Sequence, residues 1–178
     1  FRLYKQNQHE GGISSPLIAH WPNGLKTKPG SITRQPAHLI DFMATFLELG
    51  NAKYPRQAGN RVIEPLEGKS LVPIFKNAER KGHEALYFHF GTDRALRQGK
   101  WKLVSAKKGK WELYDMSKDR TELIDLAEKF PTKVETMKEI WFDIAKNKER
   151  LNQNGLSPVK GVIKELSFRK DTSNQLNN

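Results

Sequence analysis

The chain contains no cysteine. Disulfides, thiolate metal sites and a cysteine nucleophile are therefore excluded within it. It has no apolar run long enough to cross a bilayer and no signal-peptide pattern at its start. Residue 1 is Phe, so the first residue need not be a natural start, and the missing leader says little about compartment. Apolar side chains are scarce, at 37% of 178 residues. That allows one ordinary domain, or a domain with an appendage, around a modest core. Acidic residues are also in short supply, 20 against 31 Lys and Arg, which leaves a formal charge of +11. Such a balance favours polyanionic partners: nucleic acid, anionic membrane, or sulfated or phosphorylated polymers. No zinc-finger spacing or RNP-type aromatic motif accompanies it, so nothing beyond charge supports nucleic acid. The five histidines (His9, His20, His38, His83 and His89) have no zinc-binding spacing.

What is present begins with Tyr4 to Pro22, YKQNQHEGGISSPLIAHWP. Lys5 opens a polar run that leads into Glu10-Gly11-Gly12. The paired glycines predict a sharp turn or a close backbone approach, because glycine tolerates positive φ and has no Cβ. The apolar run after them, bounded by Pro16 and Pro22, reads as a short buried strand. Lys5 is then a side chain presented from a loop on a rigid scaffold.

Residues 24–35 are loop-like. Pro36 to Leu49 reads as a helix with Pro36 in its first turn. Its apolar residues, Leu39 through Leu49, cover most of the circumference and predict burial; Gly50-Asn51 is the stop. Gly68-Lys69-Ser70 superficially resembles a phosphate loop, but Ile63 stands where the upstream glycine is required, so that reading fails. Ser70 instead reads as the cap of a short helix, Leu71 to Phe75.

Three strand candidates follow: Ala85 to Phe90, Arg94 to Ser105 broken at Gln98-Gly99, and Trp111 to Tyr114. Trp101, Leu103, Trp111 and Leu113 alternate with Lys102, Val104, Glu112 and Tyr114. Lys107-Lys108-Gly109-Lys110 makes the hairpin turn. Thr132 to Arg150 reads as an amphipathic helix, with Val134, Met137, Ile140, Trp141 and Ile144 on the face that packs against the sheet. Residues 151–178 read as a loosely ordered polar tail apart from Val159 to Phe168.

Several of these blocks, in this order, resemble the sulfatases of the alkaline-phosphatase-like superfamily. The first is Lys5, four residues, Glu10-Gly11-Gly12, then Pro16-Leu17-Ile18 and Trp21-Pro22. Next comes the Asp41/Thr45 helix, with Ala44 where the family usually has Pro, and then Gly68-x-Ser70-Leu71-x-Pro73. The downstream blocks are Arg94-Ala95-x-Arg97-x-Gly99-x-Trp101-Lys102-Leu103, Glu112-Leu113-Tyr114-Asp115, and Asp119, Glu122 and Leu126. Arg120 and Asp125 depart, standing where Pro and Asn are usual. The resemblance covers residues 4–145.

The resemblance implies an α/β, alkaline-phosphatase-like fragment, namely the C-terminal portion of a sulfatase. Residues 1–76 would form the end of the large α/β domain, 77–150 a small C-terminal subdomain of antiparallel sheet on a helix, and 151–178 the tail. The parent would hydrolyse sulfate esters of a sulfated small molecule or polysaccharide. Lys5 matches the family's sulfate-contacting lysine, and an ammonium, a compact charge with three donors, suits the sulfate oxygens and the bridging oxygen. For His89 two roles stay open, substrate contact and ordinary strand residue; some relatives place a substrate-contacting His one residue nearer the Arg. His9, where the family often has an aromatic, is read as structural, with substrate contact as the second role. Asp41 is read as structural, and Glu10, Arg94 and Arg97 as supports that pair with each other or with backbone.

The family's formylglycine and divalent metal, usually calcium, are expected in an N-terminal catalytic portion. No Cys-x-Pro-x-Arg or Ser-x-Pro-x-Arg motif occurs here, since Ser14-Ser15-Pro16 lacks the Arg, and no metal ligand is assigned. The chain alone is expected to be inactive, and sulfatases of this type are often periplasmic or secreted. Two alternatives are a non-catalytic polyanion-binding module and a phosphonate or phosphate ester hydrolase of the same superfamily. No nucleic-acid partner and no membrane span are expected.

Overall fold

A computed structural model describes residues 1–149. In chain order its elements are α1 (Glu10–Ile13), α2 (Asp41–Leu49), β1 (Gln57–Ala58), β2 (Arg61–Val62), α3 (Val72–Phe75), β3 (Leu86–Phe90), β4 (Asp93–Gln98), β5 (Trp101–Ser105), β6 (Glu112–Asp115) and α4 (Pro131–Ile144). A π-helical turn, Ala145–Glu149, follows α4. The expected tail at 151–178 lies outside the described residues, as does the end of the last helix at Arg150. Contacts divide the described residues into two units, Phe1–Ser15 with those from Tyr87 onward, and Pro16–Leu86. The first fifteen residues thus belong with the sheet that follows some seventy residues later.

In the first unit β3-β4-β5-β6 form one antiparallel sheet in sequential order. Ala95 pairs with Val104 and Leu96 with Leu103, while Lys102 pairs with Tyr114 and Leu103 with Leu113. Paired residues share a face, so Leu96, Leu103 and Leu113 line one side and Ala95, Lys102, Val104 and Tyr114 the other. All seven are essentially inaccessible. The alternation read from the sequence is present, but it does not separate buried from solvated residues, because both faces are covered.

Helix α4 covers the leucine face with Val134, Met137, Trp141 and Ala145 buried. Its period-3.6 apolar stripe accounts for this packing. Trp141 stacks on Tyr87 at 5.1 Å and donates its indole N–H to the Phe88 carbonyl at 3.2 Å. Arg94 lies over the Trp111 ring at 4.6 Å, a cation–π contact. The hairpin between β5 and β6 turns at Lys107 and Lys108, both with positive φ (49° and 62°), as tight primed turns require.

The second unit is organised around a carboxylate. Asp41, fully buried at the start of α2, accepts the His38 and Lys69 backbone N–H groups at 2.8 and 2.9 Å. It also pairs with Arg80 at 2.9 Å and His83 at 2.6 Å. Burial pushes its pKa up, but the two backbone donors, His83 and Arg80 outweigh that and hold it below the ordinary Asp value. The structural role read for Asp41 matches this geometry. Thr45 Oγ1 donates to the Asp41 carbonyl at 2.7 Å and accepts the Leu71 N–H at 2.9 Å. Ser70 Oγ accepts the Val72 N–H at 3.1 Å, but α3 starts at Val72 with Leu71 as its N-cap, so Ser70 is not the cap expected of it. Gly68 is required here, since a Cβ would lie 1.9 Å from the Ile40 carbonyl oxygen.

Two further expectations for this unit fail. The run from Pro16 to Pro22 is not a strand, and Leu17, Ile18 and Trp21 are exposed. A strand needs a hydrogen-bonded neighbour, and among the described residues this run has none. The helix begins at Asp41 and not at Pro36: ahead of it the chain makes i→i+3 turns, Asp41 N–H to the His38 carbonyl at 2.9 Å and Phe42 N–H to that of Leu39 at 3.3 Å. It buries only Asp41 and Thr45, and leaves Leu39, Met43, Phe46 and Leu49 exposed. Its C-terminal stop at Gly50 is as read.

Candidate functional site

Lys5 sits at the second position of a four-residue turn, Tyr4 to Asn7. The Asn7 N–H donates to the Tyr4 carbonyl at 3.1 Å, and the Asn7 side-chain amide donates to the same oxygen at 2.9 Å. Gln6 at the third position has φ of 76°, the left-handed conformation that this position of a type II turn demands. The turn carries the Lys5 side chain outward, and the residue is exposed.

The turn folds back on the glycine pair. The Gly11 N–H donates to the Arg2 carbonyl at 3.0 Å. A Cβ at Gly11 would lie 1.9 Å from the Leu3 carbonyl oxygen, and one at Gly12 would lie 2.0 Å from that of Asn7. Both contacts are with backbone, so no side chain can be accommodated there. The close approach expected of Glu-Gly-Gly is between this segment and itself.

Beneath the turn the chain is fastened to the sheet by buried charge. Lys102 Nζ on β5 lies 2.8 Å from Glu10 Oε1 and 2.7 Å from Glu122 Oε1. Glu122 Oε2 accepts the Glu10 backbone N–H at 2.7 Å. Exposure is 0% for Lys102, 4% for Glu10 and 1% for Glu122. Glu122 holds φ of 58°, a conformation uncommon outside glycine that turns its carboxylate onto this cluster. One cation between two carboxylates satisfies the requirement that buried charges be paired.

A second cluster adjoins on the same sheet face. The Glu112 carboxylate accepts the Tyr114 hydroxyl at 2.5 Å and Arg2 Nη1 at 2.8 Å, and faces His9 Nε2 at 3.0 Å. Arg2 Nη1 also donates to the Tyr114 hydroxyl oxygen at 2.6 Å. Burial raises the Glu112 pKa, but His9, Tyr114 and Arg2 together hold it below its ordinary value. Burial and the neighbouring Glu112 push the Tyr114 phenol well above its ordinary value. His9 is 1% exposed, its ring meets Tyr114 edge-on at 6.4 Å, and its Nδ1 is buried without a partner.

His89 lies on β3, with Nδ1 2.7 Å from Glu149 Oε2 and Nε2 3.0 Å from the Gly91 carbonyl. Among the described residues no hydrogen bond joins Lys5, His9 and His89. Glu10, Arg94 and Arg97 do not pair with one another. Glu10 takes Lys102, Arg94 bonds Ser105 at 3.1 Å, and Arg97 takes the backbone partner also expected, the Gly99 carbonyl, while feeling the Glu10 charge. From sequence, Lys102, Glu112, Tyr114 and Glu122 are pattern matches without a role. The one available signal was that Lys102 shares the period-2 face of Val104.

Among the described residues no group of three or more His, Cys, Asp or Glu side chains is placed to hold a metal ion. No described helix is long and apolar enough to cross a membrane.

The chain is similar to known proteins over much of its length. The chain is 37% identical to mouse (Mus musculus) steryl-sulfatase over 107 residues, 60% of this chain and 16% of that protein. It is 30% identical to an ulvan-active sulfatase of Formosa agariphila over 95 residues, 52% of this chain and 19% of that one. The solved structure of Ps i-CgsB aligns over 79% of this chain and 30% of its own, with a TM-score of 0.49 and 20% identity. The chain thus spans less than a fifth of the curated relatives' length. Residues 2–151 match the family described as N-sulphoglucosamine sulphohydrolase, C-terminal. With its four-stranded antiparallel sheet and packed helix, the chain belongs to that sulfatase C-terminal family.

Proposed function

We propose that this chain is the C-terminal part of a sulfatase that hydrolyses sulfate esters, with Lys5 contacting the sulfate and the departing oxygen. The carrying observation is family membership across residues 2–151, together with a lysine held outward on an anchored turn. A fixed ammonium beside the sulfate stabilises charge on the leaving oxygen at no cost of reorganisation. A sulfated saccharide is the favoured substrate. The family description names a sulphated glucosamine and one relative is ulvan-active, while the +11 charge suits a polyanion. Formylglycine, calcium and the N-terminal catalytic portion would lie outside this chain, which alone would turn nothing over. The exposed apolar residues Leu17, Ile18, Leu39, Met43 and Phe46 are of the kind a missing portion would cover. His89 and His9 are proposed as secondary substrate contacts, through reorientation of groups now bonded to Glu149 and Glu112.

The test is Lys5→Ala in the full-length protein. Turnover of an aryl sulfate should fall by about 10²–10³ with the unfolding temperature unchanged. Near-normal turnover would remove Lys5 from the reaction. Comparing aryl sulfate with aryl phosphonate in the same protein separates a sulfatase from a phosphonate or phosphate ester hydrolase. Tight binding of a sulfated polysaccharide by a full-length protein that cleaves none of these esters would favour the binding-module alternative.

A further inference from the structure

We infer that Lys102 and Glu122 are positioning residues that set the location of Lys5 by clamping the backbone of Glu10; this rests on the sulfatase reading of Lys5. Glu10 is the hinge between the exposed turn and the scaffold. Its side chain is held by Lys102 at 2.8 Å and its backbone N–H by Glu122 at 2.7 Å. These two bonds cross 92 and 112 residues of sequence, so they fix Glu10 to β5 and to the loop after β6 and not to its own neighbours. Lys102 and Glu122 are themselves 2.7 Å apart, which closes a ring of three contacts.

The clamp reaches Lys5 through backbone. From Glu10 the chain continues into Gly11 and Gly12, on which the carbonyls of Leu3 and Asn7 rest at distances that leave no room for a Cβ. The residues on either side of Lys5 are thus seated on the two residues that follow the clamp. A displacement of Glu10 moves that seat, and the turn with it. A salt bridge used for stability alone would not need to hold both the side chain and the backbone of one residue. Ionic clusters of this kind are better attested as registry devices than as net stabilisers. Misplacing a catalytic group by a fraction of an ångström lowers rate far more than affinity.

The first measurement needs no variant. Hydrogen exchange in the full-length protein should show the Glu10 amide protected like the β5 amides, about 10²-fold or more beyond the Lys5 and Gln6 amides. Exchange of Glu10 at the rate of the turn would overturn the clamp. The second uses Glu122→Gln, which keeps an acceptor for the Glu10 N–H but removes the charge facing Lys102, and Lys102→Met. Each should lower kcat on an aryl sulfate about tenfold, with KM within about twofold. In a Lys5→Ala background the same substitutions should change kcat by less than about twofold, because the clamp then has nothing to position. Equal factors in both backgrounds would make the cluster merely structural and overturn the proposal. Should Lys102→Met fail to fold, Glu122→Gln and the exchange of the unaltered protein still decide. A full-activity Lys5→Ala would sink the sulfatase role of Lys5, whereas fast exchange at Glu10 would sink the clamp itself.

Discussion

Glu122 accepts the backbone N–H of Glu10 at 2.7 Å, across 112 residues of intervening chain. With Lys102 between their carboxylates, these residues make a fully buried ionic triad whose members can be removed one at a time. Lys102→Met leaves two carboxylates in a low-dielectric site with no partner cation. The expected loss is about 3–5 kcal/mol of unfolding free energy, measured by denaturant titration. Adding Glu10→Gln and Glu122→Gln to Lys102→Met should restore part of it, since the stranded charges are then gone.

Gly11→Ala inserts a methyl 1.9 Å from the Leu3 carbonyl oxygen. The Arg2–Gly11 hydrogen bond at 3.0 Å would have to break to make room. A loss of about 1–3 kcal/mol follows from overpacking against backbone, with faster proteolysis within residues 1–10 as the local readout. Gly82→Ala is the control, because a Cβ there meets nothing within 4 Å.

Asp41 and Glu112 both have pKa values held below the ordinary carboxylate range, by backbone donors, His83 and Arg80 in one case and by His9, Tyr114 and Arg2 in the other, against the opposing effect of burial. For a depressed carboxyl the stabilisation is complete above the unfolded-state pKa, about 4. It is lost as pH falls from there through the folded-state value. Unfolding temperature should therefore drop below about pH 4, and Asp41→Asn should flatten the part of that slope contributed by Asp41.

At the alkaline end the sign reverses. Burial and Glu149 raise the Tyr87 phenol, and burial and Glu112 raise Tyr114. A raised pKa gives stability that is present below the unfolded-state value, about 10, and declines above it. Ultraviolet titration should show two of the four tyrosines ionising only as the sheet unfolds; Tyr114→Phe and Tyr87→Phe should each remove one from that late phase.

Trp141→Ala would open a cavity among Tyr87, Trp111 and Phe142 and remove the indole donor to the Phe88 carbonyl. A loss of about 3–5 kcal/mol is expected, with near-ultraviolet circular dichroism reporting the collapse of the aromatic cluster.

The features legible in the sequence are those whose cause is local. The β4–β5 break at Gly99, the Lys107–Lys108 turn, the stop at Gly50 and the α4 stripe each follow from residues within a few positions. The α2 start depends on contacts that are not local: Asp41, its first residue, is held by the Lys69 N–H, Arg80 and His83. The Pro16–Pro22 run has strand composition, but composition cannot supply the neighbour a strand pairs with. The partners of Lys102 were invisible for another reason. In a chain with 31 basic residues its period-2 place beside Val104 hints at burial, but nothing near Lys102 points to the carboxylates 92 and 20 positions away that pair with it.

The second face of the sheet is covered by a segment made well before the sheet itself. During synthesis Phe1–Ser15 leave the ribosome long before β5, β6 and Glu122 exist, and the whole of Pro16–Leu86 is made in between. Glu10 must therefore wait, solvated, for a lysine and a glutamate not yet translated. Contacts of such large sequence separation form late and slowly, so the turn that carries Lys5 takes its shape only once the rest of its unit is folded.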